Sequence, residues 1–150
     1  AANNSGTRSR LKELGDLLGF SFNHSSQSRM VNTFKAHQLL EWAAQFNLQT
    51  PLKLALFKAF FTDQQNVNDM SVLIAVAESV GLPKAEAEEV LLSARFADSV
   101  RQHQQYWRDQ DIYSVPMFYF NQAYAIPGAQ DSDTFVRYLK KIHEKELSKQ

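Results

Sequence analysis

The chain has 150 residues, of which 44% are hydrophobic and 21% charged, a composition typical of one soluble globular domain. Its 16 basic residues balance 16 acidic ones, so it lacks the positive charge that gathers nucleic acid or anionic membranes. No apolar run approaches the roughly 20 residues of a membrane-spanning helix. The sequence therefore predicts no nucleic-acid partner and no membrane partner.

The cysteine count is zero, which excludes a disulfide, a thiolate metal site and a cysteine nucleophile within these residues. The chain opens AANNSGT, without an initiator methionine or a basic stretch that leads into an apolar segment. We expect a cytoplasmic protein, and the natural N-terminus cannot be read from this start.

Helices dominate the first two thirds of the sequence, because leucine and alanine recur at helical spacing between short polar connections. Asn32, Thr50 and Asn68 are predicted to cap three of these helices, with Pro51 as the first helical residue after Thr50. The periodicity predicts helices over residues 8–18, 33–46, 51–63, 69–80 and 83–111, the last with a break near Ser93.

The pattern changes after Asp111. Two β-prone runs, MFYF (117–120) and AYAI (123–126), flank Asn121-Gln122, which predicts a β-hairpin. Asp131 is then predicted to cap a last amphipathic helix.

The hairpin predicts a further strand. Both runs are apolar at nearly every position, as expected of strands covered on both faces, and an isolated hairpin is marginally stable in water. No other convincing strand is present in these residues, so at least one more is expected upstream of Ala1 or in another chain.

Motifs for nucleotide and metal chemistry are absent. The sequence contains no glycine-rich phosphate loop and no H-E-x-x-H, and His24, His37, His103 and His143 are widely spaced. We expect no metal site and no cofactor. His37 is more simply a packed or hydrogen-bonded helix histidine than a ligand or a base. The aromatic residues are predicted to be core rather than a binding stripe: Trp42, Phe60, Phe61, Trp107, Phe118, Tyr119 and Phe120.

The Val115-Pro116 step precedes the first strand of the hairpin. Only about 5–6% of X-Pro bonds in folded proteins are cis, so local sequence alone favours a trans proline that starts an edge strand.

The segment SVPMFYFNQAYAIPGAQ (114–130), followed by an amphipathic helix, resembles the C-terminal half of the DsbA-family thioredoxin-like proteins, specifically the FrnE-like branch of bacterial proteins. The likeness continues upstream, in the family's order, through LGFSF (18–22), NTFKAHQLLEWA (32–43), LFKAFFTD (56–63), AESVGL (77–82) and FADSV (96–100). The related kappa-class glutathione transferases usually carry a Trp-Gly-x-Asp-Arg-like segment where this chain has PGAQ (127–130), which favours the FrnE-like branch.

The resemblance implies a mostly helical α/β fold, a DsbA-like thioredoxin fold with an inserted helical lobe. Residues 1–110 are expected to form the lobe and the helix that leads back to the sheet. Residues 111–150 are expected to form the cis-proline loop, the hairpin and the covering helix. The family begins with a strand and a C-x-x-C, and this chain has neither, so the missing half is expected upstream, together with the strand that the hairpin needs.

The function that the resemblance implies is thiol-disulfide exchange, with no catalytic residue in this chain. Val115 is expected to offer its backbone to an extended substrate, Pro116 in cis is expected to shape the loop, and Tyr113, Ser114 and Met117 are expected at the rim. The expected partner is a protein or peptide thiol or disulfide, with glutathione as a further candidate and a homodimer as a state to test.

Two alternatives remain open at this point. The chain could be a thioredoxin-like binding module that has lost its redox pair, which fits the absence of cysteine. It could also belong to a glutathione-dependent transferase or isomerase of the kappa or hydroxychromene-carboxylate isomerase type, with a serine or another polar residue at the start of the missing helix.

Overall fold

A computed structural model describes residues 3–23 and 30–148 of the chain. The chain divides into two compact units, residues 1–102 and residues 103–150. His24 lies outside the described residues.

The first unit is helical. Its helices follow one another through short connections, and α6 continues into the second unit: α1 Asn3–Leu17, α2 Phe34–Ala43, α3 Gln49–Phe57, α4 Met70–Ser79, α5 Lys84–Ser93 and α6 Ala97–Asp109. A single 3-10 turn, Ala44–Phe46, extends α2, and a π-helical turn, Lys58–Thr62, extends α3.

The core of the first unit is formed by α2 to α5. Apolar residues recur about one helical turn apart in these helices and so share one face of each. Trp42 is its largest fully buried side chain, and the others are Leu39, Leu52, Leu73 and Val90. Gln38 is the one buried polar residue found among the described residues, and its Oε1 has no hydrogen-bond partner there.

The helix starts correct three of the predicted caps. Thr50 is not a cap, because α3 already begins at Gln49. Asn68 is not the cap of α4. The cap is its neighbour Asp69, whose carboxylate accepts from the Ser71 N–H at 2.9 Å. Asn32 lies one residue before Thr33, the residue that occupies the cap position of α2, although the Asn32 side chain accepts from the Phe34 N–H at 2.9 Å. The predicted break near Ser93 is confirmed by a left-handed Ala94.

A phenylalanine cluster joins the end of α1 to the π-helical turn. Phe22 and Phe61 pack edge to face at 5.4 Å, and Phe20 contacts both rings. The Asn23 side chain and backbone N–H donate to the carbonyls of Thr62 and Phe61, each at 2.8 Å. These bonds satisfy carbonyl groups that the end of a helix leaves free.

Gly15 allows this segment to fold back over α1. The Phe20 N–H donates to the Gly15 carbonyl at 2.8 Å, and a Cβ at Gly15 would overlap the Phe20 carbonyl oxygen and the Phe22 ring. The leucines of α1 and the one that follows it are exposed: Leu11, Leu14, Leu17 and Leu18. Helix α1 begins at Asn3, earlier than the predicted Arg8, and the chain leaves it through Gly19 at φ 74°.

The second unit contains an antiparallel hairpin and a helix that packs on one of its faces. Strand β1 is Met117–Phe120 and strand β2 is Tyr124–Pro127, with Phe118 opposite Ile126. The hairpin forms with Asn121 and Gln122 in its turn, as predicted, but β2 begins one residue later than predicted. Asn121 and Gln122 both adopt positive φ, and Ala123 belongs to the loop rather than to β2.

Helix α7, Ser132–Leu147, covers the hairpin face that carries Phe118, Phe120, Tyr124 and Ile126. Its predicted cap is confirmed, because Asp131 accepts from the Thr134 N–H at 2.8 Å. Phe118 packs on Phe135 with ring centroids 4.6 Å apart, and the Tyr124 hydroxyl donates to the Glu146 carboxylate at 2.6 Å. The helix is therefore held at both ends.

Two predicted core residues are open within the second unit: Trp107 is 44% exposed and Phe118 is 37% exposed. Trp107 contacts Tyr119 on the face opposite α7, with ring centroids 6.3 Å apart. Over the part of the chain that the structure describes, no helix combines the length and apolar character needed to cross a bilayer.

Candidate functional site

The candidate site is the loop that joins α6 to β1. At the end of α6 the Asp111 N–H donates to the Arg108 carbonyl, and the Ile112 N–H donates to the Trp107 carbonyl. Both distances are 3.0 Å. Asp111 adopts φ 58°, which turns the chain out of the helix. The loop then runs through Tyr113 and Ser114 to the first strand.

The peptide bond between Val115 and Pro116 is cis. The Pro116 carbonyl accepts from the Gly128 N–H at 2.9 Å, which continues the hairpin ladder one pair beyond Met117 and Pro127. Gly128 has φ 77°, a conformation that glycine adopts without strain. The proline loop is therefore anchored to the sheet at the end of the hairpin opposite its turn.

The rim of the loop is apolar and open. The Val115 side chain is 89% exposed, and Tyr113, Ser114 and Pro116 are exposed beside it, whereas Met117 is half-buried. The Tyr113 hydroxyl approaches the Asp111 carboxylate at 3.4 Å. Such a surface can bind an extended apolar segment through backbone and side-chain contacts, but it supplies no thiol or base to attack one.

All five predicted site residues lie in this one stretch of chain, before and at the start of β1. Two residues that shape the loop were not among them. Gly128 holds Pro116 through its N–H, and Asp111 turns the chain out of α6. The Pro127-Gly128 pair is a turn signal that could have identified the first, whereas only the three-dimensional structure shows that it faces Pro116.

The three described histidines do not form a second site. His37, His103 and His143 are exposed. Among the described residues no three histidine or carboxylate side chains are placed to hold a metal ion together.

The described elements are therefore a set of helices followed by a proline loop, an antiparallel hairpin and a helix packed on it. The comparisons with known proteins give the family. A model described as a DSBA-like thioredoxin domain matches residues 3–140, so the chain belongs to the DSBA-like thioredoxin family. The predicted fold class, mostly helical α/β and DsbA-like, is confirmed.

Two relatives support this assignment. The chain is 28% identical to YwbO of Bacillus subtilis, itself an uncharacterised protein, over 136 residues. The matched residues make up 90% of this chain. The crystal structure of a probable DsbA oxidoreductase from Streptomyces coelicolor is similar with a TM-score of 0.76 and 26% identity over 91% of this chain. The family is therefore one of thiol-disulfide oxidoreductases.

The relatives are longer than this chain. It spans 68% of the length of YwbO and 58% of the length of the Streptomyces protein.

Proposed function

We propose that these residues are the helical lobe and the C-terminal part of a protein-disulfide oxidoreductase of the FrnE-like branch. The redox pair, C-x-x-C, comes from residues outside this chain. The observation that carries the proposal is family membership together with an exposed Val115 beside Pro116 at the start of β1. A disulfide-exchange enzyme needs such an open apolar surface next to its sulfur atoms to receive a substrate segment.

The proposed reaction is a two-step exchange. A cysteine thiolate attacks one sulfur of the substrate disulfide, which forms a mixed disulfide and releases the other substrate sulfur as a thiolate. The second cysteine of the pair then attacks the mixed disulfide and releases the first substrate sulfur. The substrate is reduced by two electrons and the pair is oxidised. The relative reduction potentials of the two couples set the direction.

In this reaction the residues of this chain bind and orient the substrate. Val115 offers backbone groups to an extended substrate segment, in the manner of strand addition, and its side chain borders the reacting sulfurs. Pro116 has no N–H, so it keeps a hydrogen-bond donor away from them. Tyr113, Ser114 and Met117 contact the substrate at the rim.

A second candidate function is favoured by the cysteine count of zero. A thioredoxin-like module without a redox pair would use the same rim to bind a peptide and would catalyse no exchange.

Thiol alkylation and peptide mass spectrometry of the natural polypeptide test the choice. We expect two alkylated cysteines in a C-x-x-C outside residues 1–150. A natural polypeptide without any thiol would overturn the oxidoreductase proposal and leave the binding module.

A variant then tests the role of Val115 in the cysteine-bearing polypeptide. Val115→Asp is expected to lower kcat/KM for a disulfide peptide by roughly tenfold, equivalent to about 1.4 kcal/mol of transition-state binding. Leu92→Asp is the matched control, because Leu92 is another exposed apolar residue and lies in the helical unit. Equal activities in the two variants would remove Val115 from the binding site.

A further inference from the structure

The peptide group that joins Pro127 to Gly128 is hydrogen-bonded on both of its sides. Its N–H, that of Gly128, donates to the Pro116 carbonyl at 2.9 Å. Its C=O, that of Pro127, accepts from the Gln130 side-chain amide at 2.8 Å. A trans peptide group is planar and rigid, and its N–H and C=O point in opposite directions. We call these two hydrogen bonds, which hold one rigid group from opposite sides, the Gln130 clamp.

The hairpin ladder explains why the Pro127 carbonyl takes a partner from outside the sheet. Hydrogen-bonded and non-hydrogen-bonded pairs alternate along an antiparallel ladder. Pro116 and Gly128 are joined by a ladder bond, so the next pair, Met117 and Pro127, directs its backbone groups away from the partner strand. Because proline has no N–H, the carbonyl is the only backbone group that Pro127 can use in a hydrogen bond. The Gln130 side chain satisfies that carbonyl.

Glycine at position 128 makes the orientation of this peptide group easy to change. A peptide group rotates as one unit when ψ of the residue before it and φ of the residue after it change together. Gly128 has φ 77°, and glycine adopts positive and negative φ about equally readily. Such a rotation would turn the Gly128 N–H away from Pro116 and break both bonds of the Gln130 clamp. The Gln130 side chain therefore supplies a preference for one orientation that the glycine does not.

The backbone that carries Gln130 is itself anchored. The next residue, Asp131, caps α7, and its two carboxylate oxygens accept from the backbone N–H and the hydroxyl of Thr134 at 2.8 and 2.9 Å. The Gln130 amide nitrogen lies 3.6 Å from the position that a Cβ would occupy at Gly128. The side chain thus spans from the start of α7 to the end of β2. Ordering it costs side-chain entropy, but the helix cap already holds the backbone beside it.

We propose that Gln130 is a positioning residue of the candidate site, because it holds the Pro127–Gly128 peptide group in the orientation that anchors Pro116. Pro116 follows Val115 directly, so an anchored Pro116 also fixes the direction of the Val115 backbone. That backbone receives the substrate in the proposed function, and the inference rests on that function. Gln130 does not contact the substrate and acts through Gly128 and Pro116.

Amide exchange at Gly128 tests the Gln130 clamp directly. Gln130→Met keeps the length of the side chain and removes its N–H donors. In the natural polypeptide, hydrogen exchange at the Gly128 amide is expected to become about fivefold faster, the effect of losing one hydrogen bond between uncharged groups. Gln122→Met is the matched control, since Gln122 is an exposed glutamine at the other end of the same hairpin. An unchanged exchange rate at Gly128 in Gln130→Met would overturn the proposal.

A second variant separates the hydrogen bond from the shape of the side chain. Gln130→Lys retains N–H donors on a flexible side chain that is long enough to reach the Pro127 carbonyl. It is expected to restore most of the protection of the Gly128 amide that Gln130→Met loses. If the two variants exchange equally fast at Gly128, the donor is not the cause and the proposal fails.

Kinetics test whether the anchored proline serves the site. In the cysteine-bearing polypeptide Gln130→Met is expected to lower kcat/KM for a disulfide peptide by about fivefold, chiefly through a higher KM, because it disturbs the binding surface and leaves the cysteines in place. The Tm is expected to stay near that of the parent protein, since Gln130 is exposed. A lower Tm with an unchanged kcat/KM would make Gln130 a structural residue only.

A double variant tests whether Gln130 acts through Val115. Substitutions at residues that act through one another have effects that do not add. In the Val115→Asp background, whose binding surface is already impaired, Gln130→Met is expected to cause little further loss of kcat/KM. Losses that add in full would contradict the proposed route through Pro116 and Val115.

Failure of the inference can be distinguished from failure of the proposed function. A natural polypeptide without disulfide-exchange activity would overturn the proposed function, and with it the role of Gln130 in substrate binding for that reaction, whereas faster exchange at Gly128 in Gln130→Met would still support the Gln130 clamp. An active polypeptide whose Gln130→Met variant equals it in both amide exchange and kcat/KM would overturn the inference and leave the proposed function in place.

Discussion

The two units of the molecule achieve very different degrees of burial. In residues 1–102 four helices bury a tryptophan and several leucines completely, whereas in residues 103–150 Ile126 is the single buried apolar side chain among those described. The difference follows from size, because a smaller unit buries a smaller fraction of its surface and is only marginally stable alone. The helical unit is closed on itself, and the hairpin unit needs a further element to cover its sheet.

The two tryptophans give the largest contrast. Trp42 is fully buried in the helical unit, and Trp107 is half-exposed in the hairpin unit. Trp42→Ala is expected to lower the free energy of unfolding by about 3–5 kcal/mol, because it leaves a cavity in a packed core. Trp107→Ala is expected to cost about 1 kcal/mol, since solvent already reaches the ring.

Urea unfolding followed by circular dichroism measures both values. If Trp107→Ala proved as costly as Trp42→Ala, the hairpin unit would be closed in solution, and the comparison between the units would fail.

Gly15 tests how the phenylalanine segment is attached to the helical unit. Gly15→Ala is expected to destabilise the protein by about 1–3 kcal/mol, because the added methyl group overlaps the Phe20 carbonyl and the Phe22 ring. Gly6→Ala is the matched control on the same helix, and no heavy atom of the described chain lies within 4 Å of a Cβ there.

The control substitution is expected to stabilise α1 by up to about 1 kcal/mol, since alanine favours helix more than glycine does. Thermal unfolding of the two variants compares them directly. Equal shifts in Tm would mean that the fold-back of Phe20 and Phe22 over α1 does not form.

The smallest expected effects concern the two capping carboxylates, one in each unit. Hydrogen bonds from the Ser71 hydroxyl and then its backbone N–H lower the pKa of Asp69. The Thr134 backbone N–H and then its hydroxyl lower the pKa of Asp131. Each ionised cap therefore stabilises its helix above the ordinary aspartate pKa, and this contribution is lost as the pH falls through the lowered value.

Carboxyl NMR titration is expected to show both pKa values below the ordinary range. Asp69→Asn and Asp131→Asn retain a capping side chain without its charge, so each variant should lose stability at neutral pH and match the parent protein in acid. A pH-independent difference between parent and variant would assign the effect to packing rather than to ionisation.

The sequence specified most of the secondary structure, because helical periodicity and local caps act over a few residues. The predictions of a break near Ser93 and of the Asp131 cap are correct, whereas the predicted caps at Asn32, Thr50 and Asn68 are wrong by one or two positions. Neighbouring polar residues compete for the same N–H groups, and the start of a helix depends on how it packs. The π-helical turn at Lys58–Thr62 has no signal in its own sequence, and two of its carbonyls, those of Phe61 and Thr62, accept from Asn23 in a distant segment.

The proline loop shows the limit of local reasoning most clearly. Composition, the absence of cysteine, the hairpin and the resemblance to DsbA-like proteins were all available from the sequence itself, and so were the five residues of the candidate site. The amino-acid pattern could not show that Gly128 anchors Pro116 or that Phe118 is left open while Ile126 is covered. Both depend on which segments distant in sequence are brought together, and therefore only the tertiary structure decides them.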